Sequence, residues 1–162
     1  MRVLVISDTH GNLGAIKHLV GFAKTQNLGA IIHCGDFSTP QDVVEVLRTD
    51  IPVFAVMGNG DEARYQEIWK ALDGAKKRGD TIEFELDGRK IGMGHQPEKV
   101  RDFINSGNFD AVFHGHLHMS AGVKKIDNTL VVNPGALGNT VAPSFAVYDT
   151  DLNAATIIDL PA

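Results

Sequence analysis

Five short, largely apolar runs of this chain each break off beside a glycine and a side chain that can ligate a metal. Val3 to Ile6 leads to Asp8 and His10-Gly11, and Ala30 to His33 leads to Gly35-Asp36. Val53 to Met57 leads to Gly58-Asn59, Arg89 to Met93 to Gly94-His95, and Ala111 to His114 to Gly115-His116-Leu117-His118. Runs of β-branched residues and leucine this short suit strands buried on both faces. Between the first three, Leu13, Ile16, Leu19, Val20 and Ala23 recur at helical spacing, which predicts a helix over Leu13 to Thr25 capped by Asn12. A second helix is predicted over Gln41 to Arg48, with Thr39 as cap and Pro40 at its first position. The resulting β-α-β-α-β order means a mainly parallel sheet covered by helices.

The second half changes character. After a predicted helix over Glu62 to Leu72, Thr81 to Leu86 and Arg89 to Met93 flank Asp87-Gly88, a strong hairpin signal. A helix from Glu98 to Ser106 leads into the strand Ala111 to His114, and further strands are predicted at Gly122 to Ile126, Thr129 to Val132, Ser144 to Tyr148 and Ala155 to Leu160. So many strands with four helices imply two sheets packed face to face with helices outside. No linker or repeat interrupts residues 1–162, so one domain is expected, and 43% hydrophobic residues suffice for a core.

The formal net charge of −5 does not supply the broad basic face that tracks a nucleic-acid backbone. The lone Cys34 cannot form an intrachain disulfide, and no apolar run approaches a membrane span. A soluble, cytoplasmic protein without a membrane partner is therefore expected.

In open α/β sheets, the C-terminal strand ends are where ligands bind, because loops from several strands converge there. Taken singly, each polar residue at those ends has a plain reading as loop or turn. Together, two carboxylates, one amide and four imidazoles gather there: Asp8, His10, Asp36, Asn59, His95, His116 and His118. His116 and His118 share a face if the segment is extended, since side chains alternate with period two. A nitrogen and oxygen set without thiolate suits Mn, Fe, Co, Ni or Zn in a reactive site rather than a closed structural zinc site. Seven ligands are too many for one such ion and right for two that share a carboxylate.

The ordered series Asp8-x-His10, Gly35-Asp36, Gly58-Asn59, Gly94-His95 and Gly115-His116-x-His118 resembles the calcineurin-like metallophosphoesterase superfamily. The short length is similar to its small bacterial and archaeal phosphodiesterase branch, as is Asn133-Pro134-Gly135. The resemblance implies a four-layer α/β-β/α sandwich of two mixed sheets flanked by helices, the metallo-dependent phosphatase-like fold. It implies one metal held by Asp8, His10, Asp36 and His118, and a second held by Asp36, Asn59, His95 and His116, with Asp36 bridging. Asp36, Asn59 and His95 are then the residues placed closest to the chemistry. The cofactors implied are two divalent metal ions, Mn2+ first, with Ni2+, Co2+, Fe2+ or Zn2+ as alternatives. The reaction implied is hydrolysis of a small phosphodiester by a hydroxide bridging the two ions. Their four positive charges, less two carboxylates and a hydroxide, leave a net positive site for a phosphoester on an acidic protein. Because imidazoles must be neutral to coordinate, activity is expected to fall as pH drops through about 6.5.

Most of that superfamily has a histidine after the asparagine, where it assists the leaving group; here the position is Gly60. Slow hydrolysis favouring good leaving groups follows, and Asp61 is expected to cap the next helix. Gln96-Pro97 after His95, and Ser144 after Pro143, also depart from what relatives carry near the substrate. His114 is read as a strand-end histidine without metal, His18 as lying on the polar face of its helix, and Cys34 as a buried strand residue. Two other readings remain: a phosphomonoesterase on the same site, for which Arg64 and Arg101 are the nearest cations, and a protein-binding scaffold of the kind a retromer subunit with this fold provides. A homo-oligomer is left open.

Overall fold

In β1 (Arg2–Ile6) both faces are buried, and the strand's alternation sends neighbours into different cores. Leu4 and Ile6 join Ile16, Leu19 and Val43 from α1 (Leu13–Thr25) and α2 (Pro40–Val46), whereas Val3 and Val5 join Phe113, Val132 and Tyr148. A strand that serves two cores has no polar face, which is why Val3 to Ile6 carries no alternation. These relations come from a computed structural model, which describes residues 1–119 and 122–161.

Six strands make the first sheet in the order β11-β10-β1-β2-β3-β4, with β2 (Ala30–His33), β3 (Val53–Val56), β4 (Lys77–Gly79), β10 (Ser144–Asp149) and β11 (Ala154–Asp159). β1 to β4 run parallel, β10 pairs antiparallel with β1, and β11 pairs antiparallel with β10. The second sheet has the order β5-β6-β7-β9-β8, from β5 (Thr81–Leu86), β6 (Arg89–Gly94), β7 (Ala111–Phe113), β8 (Gly122–Ile126) and β9 (Thr129–Asn133). Here β6, β7 and β9 are parallel, and β5 and β8 pair antiparallel to their neighbours. Val100, Phe109 and Val112, with Phe103 and Ile104 of α4 (Arg101–Ser106), close the outer face of this sheet. The molecule is thus the helix-sheet-sheet-helix sandwich that the sequence implied. Each fully buried Val, Leu or Ile contributes roughly 1.5–3 kcal/mol, so the cores on both faces of the first sheet keep its strand ends in fixed register.

Asp87 and Gly88 take φ of 51° and 76°, the left-handed pair that a two-residue hairpin turn requires between β5 and β6. The sequence gives no signal for β4, whose Lys77-Arg78-Gly79 has no apolar run and sits at a sheet edge. Two helices also begin differently from their predicted starts. Residues Asn59–Arg64 form a 3-10 helix before α3 (Tyr65–Ala71), and Pro97–Val100 form another before α4. The first of these deviations belongs to the functional site.

Candidate metal centre

The candidate ligands leave their strands through backbone that most side chains avoid. Asp8, His10, Asp36 and His116 have φ of 52°, 43°, 58° and 70°. Left-handed backbone costs a non-glycine residue about 1–3 kcal/mol and persists where surrounding structure imposes it. The bends at Asp8, His10 and Asp36 turn their side chains from the sheet edge toward a common point, whereas the bend at His116 breaks the extended run expected to put it on one face with His118 and leaves it outside that cluster.

At that point, one ligand atom from each of Asp8, His10, Asp36 and His118 lies within 4.8 Å of all the others. His118 Nε2 is 3.1 Å from Asp8 Oδ1, and His10 Nε2 is 3.6 Å from Asp36 Oδ2. His95 Nε2 approaches the same carboxylates from the other side, 3.3 Å from Asp36 Oδ1 and 3.9 Å from Asp8 Oδ1. Asp36 therefore turns one oxygen to His10 and the other to His95. His116 stands edge-on to His95 with ring centroids 5.2 Å apart, and its backbone N–H donates to Asp8 Oδ2 at 3.1 Å. Asn59 is exposed at the first position of the 3-10 helix, one residue before Gly60, whose N–H donates to Asp36 Oδ1 at 2.7 Å. Of the seven residues, six are thus joined by contacts, and Asn59 is placed beside them by chain proximity.

The hydrogen-bonding state of these atoms fits a cation. His95 Nδ1 donates to the Cys34 main-chain carbonyl at 2.8 Å, so in the neutral ring Nε2 carries a lone pair. That lone pair is buried, has no hydrogen-bond partner, and faces the buried and equally unpartnered Asp8 Oδ1. Burying two electron-rich atoms against one another is costly unless a positive charge, a proton on an imidazole or a metal ion, sits among them. His10 and His118 present Nε2 to one another at 3.3 Å, near the spacing of two imidazoles about 2.0–2.1 Å from one ion. His10 Nδ1 pairs with Ser38 Oγ at 2.9 Å, the outer-shell contact that orients a ligating histidine.

The carboxylates and imidazoles also tune one another. Burial alone would raise the Asp36 carboxyl, but His95 beside it and the Gly60 N–H outweigh that and hold it below the usual range. Burial disfavours protonated His95, yet Asp36 and Asp8 outweigh burial and raise its proton affinity above the ordinary histidine value. A proton therefore competes for the cation position at higher pH than an ordinary imidazole would allow.

Glycine backbone wraps the acids. A Cβ at Gly115 would stand 1.9 Å from Ser7 Oγ and 2.6 Å from Asp8 Oδ2, and one at Gly60 would stand 2.9–3.0 Å from the Asp36 carboxyl atoms. Only backbone can approach this closely.

Several supporting residues carry no site signal in the sequence. Asp61, expected as a helix cap, does accept the Gly58 N–H at 2.8 Å, but it also accepts the Asp36 N–H at 3.1 Å and the Ser38 N–H at 2.8 Å. Burial raises its carboxyl above the usual range against the pull of those N–H groups. Asp61→Ala leaves these three donors without their acceptor. It is expected to lower unfolding free energy by about 3 kcal/mol in urea titration; a loss within experimental error would contradict the role.

His33 is fully buried, stacked on Phe37 with centroids 3.7 Å apart, and burial pushes its pKa down to about 3. The folded value lies below the unfolded value of about 6.5, so His33 costs nothing above pH 6.5. Below it, the unfolded chain takes up a proton that the fold refuses. Between pH 7.5 and 5 this residue alone should remove about 2 kcal/mol from metal-free protein. His33→Gln, which does not titrate, should show a correspondingly shallower pH slope, and identical slopes would contradict the assignment. His114 is buried with Nδ1 donating to the Gly115 carbonyl at 3.0 Å; burial lowers its proton affinity, and His95 and Asp8 reach it only through their charge. His18 is exposed on α1, and Cys34 is buried.

A model of the calcineurin-like phosphoesterase superfamily domain matches residues 1–153. The chain belongs to that superfamily. The family's description and a phosphodiesterase relative together make this chain a hydrolase acting on ester bonds. It is 30% identical over 157 residues to phosphodiesterase MJ0936 of Methanocaldococcus jannaschii, covering 93% of this chain and 94% of that protein. A solved archaeal phosphodiesterase superposes with a TM-score of 0.88 at 28% identity, covering 99% of this chain and all of the other. Vps29 of Entamoeba histolytica superposes at 0.69 with 17% identity, covering 99% of this chain and 100% of its own, a likeness of fold alone. Among the described residues, no helix of this phosphoesterase is long and apolar enough to cross a membrane.

Proposed function

We propose that this phosphoesterase is a phosphodiesterase with a dinuclear centre. Asp8, His10, Asp36 and His118 hold one divalent ion, Asp36, Asn59, His95 and His116 hold the other, and Mn2+ is the first candidate. The observation that carries the reading is the buried Asp36 carboxylate with one oxygen 3.6 Å from His10 Nε2 and the other 3.3 Å from His95 Nε2, beside Asp8 Oδ1. Two divalent ions supply, when bound, an activated water for in-line attack and positive charge for the phosphoryl oxygens.

The chain's own groups set the geometry around that chemistry. Gly60 N–H fixes Oδ1 of Asp36, and the Cys34 carbonyl fixes the His95 ring so that Nε2 faces the cluster. No side chain at position 60 can hand a proton to the leaving group, so that group departs as its anion or draws a proton from water. A diester is favoured because a dianionic monoester would call for an extra cation, and among the described residues no hydrogen bond or ion pair ties Arg64 or Arg101 to the candidate ligands. Arg64 faces Glu67 at 3.9 Å, and Arg101 is exposed at the start of α4. The phosphodiesterase relatives support the same choice.

The test strips the protein of metal, reloads it with Mn2+, and compares bis-p-nitrophenyl phosphate with p-nitrophenyl phosphate. Mn2+ should restore cleavage of the diester in preference to the monoester. Preference for the monoester would replace this reading with a phosphomonoesterase, and cleavage of neither would move the protein-binding reading forward.

A further inference from the structure

We propose that Asp42, a buried carboxylate outside the metal cluster, acts through Thr9 as the positioning residue of the Asp8–His10 turn and so governs how tightly the centre holds metal. The inference rests on the metal-centre reading above. Asp42 is fully buried at 0% exposure, and an acid there must be matched by hydrogen bonds. Its Oδ1 accepts from Thr39 Oγ1 at 2.7 Å, and its Oδ2 accepts from both Thr9 Oγ1 and the Gly11 N–H at 2.8 Å. Thr39 caps α2, so Asp42 ties that helix to the turn that carries two candidate ligands, Asp8 and His10.

The direction of every proton in this chain follows from its ends. Gly35 N–H can only donate, so His33 Nδ1, 3.1 Å away, accepts. In neutral His33 the proton therefore sits on Nε2, which donates to Thr9 Oγ1 at 3.3 Å. The single Thr9 hydroxyl proton goes to the carboxylate of Asp42. Gly35, His33, Thr9 and Asp42 thus form one directed chain from the turn before Asp36 to the turn after Asp8. Backbone contacts run alongside it, with Asp8 N–H donating to the Gly35 carbonyl at 2.9 Å and His10 N–H to the Asp36 carbonyl at 3.3 Å. Asp8, His10 and Gly11 all have positive φ, so this turn does not keep its shape unaided. The chain holds it where Asp8 Oδ1 and His10 Nε2 stand 3.9 Å apart.

The test is Mn2+ titration of the metal-stripped full chain by electron paramagnetic resonance, with Co2+ absorption as a report on ligand geometry. Thr9→Val removes the hydroxyl and keeps the shape, and Thr9→Ser returns the hydroxyl. Thr9→Val should weaken Mn2+ binding by about tenfold or more and alter the Co2+ bands, while kcat at saturating Mn2+ falls much less. Thr9→Ser should restore both affinity and spectrum, a rescue that mere loss of packing would not show. Should Thr9→Val fail to fold, Asp42→Asn, which keeps volume but not charge, is expected to weaken binding in the same direction. Equal affinities for the wild type and the folded variant, or equal behaviour of Val and Ser, would overturn the clamp alone. Wild-type protein that binds no Mn2+ would overturn the metal centre itself.

Discussion

Asp36→Asn is expected to lower Mn2+-dependent diester hydrolysis by about 10³-fold or more. Asparagine keeps the size of the side chain and can still accept the Gly60 N–H that Asp36 Oδ1 accepts at 2.7 Å. What it removes is the charge that faces His10 with one oxygen, at 3.6 Å, and His95 with the other, at 3.3 Å. If Asp36 is the shared ligand, one substitution weakens both metal positions. Ion-supplied stabilisation of transition-state charge is worth several kcal/mol, and each 1.36 kcal/mol is a factor of ten. Steady-state rates at saturating Mn2+, with circular dichroism to confirm the fold, decide the matter. A loss below tenfold would mean that Asp36 does not bridge.

Gly60→His is expected to lower the rate, although it restores the residue that most of the superfamily carries. General-acid help is typically worth about 10²–10⁴-fold, so simple addition of a missing acid would bring a large gain. The backbone argues otherwise. A Cβ at residue 60 would stand 2.9 Å from Asp36 Cγ and 3.0 Å from each carboxylate oxygen, so any side chain displaces the Asp36 carboxylate from the Gly60 N–H. Loss of a ligand-orienting contact costs about 10–100-fold, and Gly60→Ala should show the same loss as Gly60→His. The wild type should also cleave p-nitrophenyl diesters far faster than phenyl diesters, since no side chain at position 60 can protonate its leaving group. A gain in Gly60→His that is absent in Gly60→Ala would contradict this account.

Much of the fold is legible in the sequence because its strands serve two cores. Val3 to Ile6, Ala30 to His33 and Ala111 to His114, which the structure ends at Phe113, read as strands for the reason that they have almost no polar face, and Asp87-Gly88 marks its hairpin by backbone preference alone. Edge strand β4 is illegible because Lys77-Arg78-Gly79 pairs with β3 through backbone without burying an apolar side chain. The start of the helix predicted from Glu62 is misplaced because residues Gly58 to Asp61 serve Asp36, with the Gly60 N–H on its carboxylate and the Asp61 carboxylate on its backbone. The candidate ligands stand out as polar residues at strand ends. Their supports do not: Thr39 reads as an ordinary helix cap, Asp42 carries no signal, and only tertiary structure brings Asp42 against Thr9 and Gly11.

The most direct measurement is anomalous X-ray scattering at the manganese edge from crystals of Mn2+-loaded protein. Two peaks are expected on either side of the Asp36 carboxylate, one among Asp8, His10 and His118, and the other among Asn59, His95 and His116. A single peak, or two peaks that do not share Asp36, would contradict a centre bridged by Asp36.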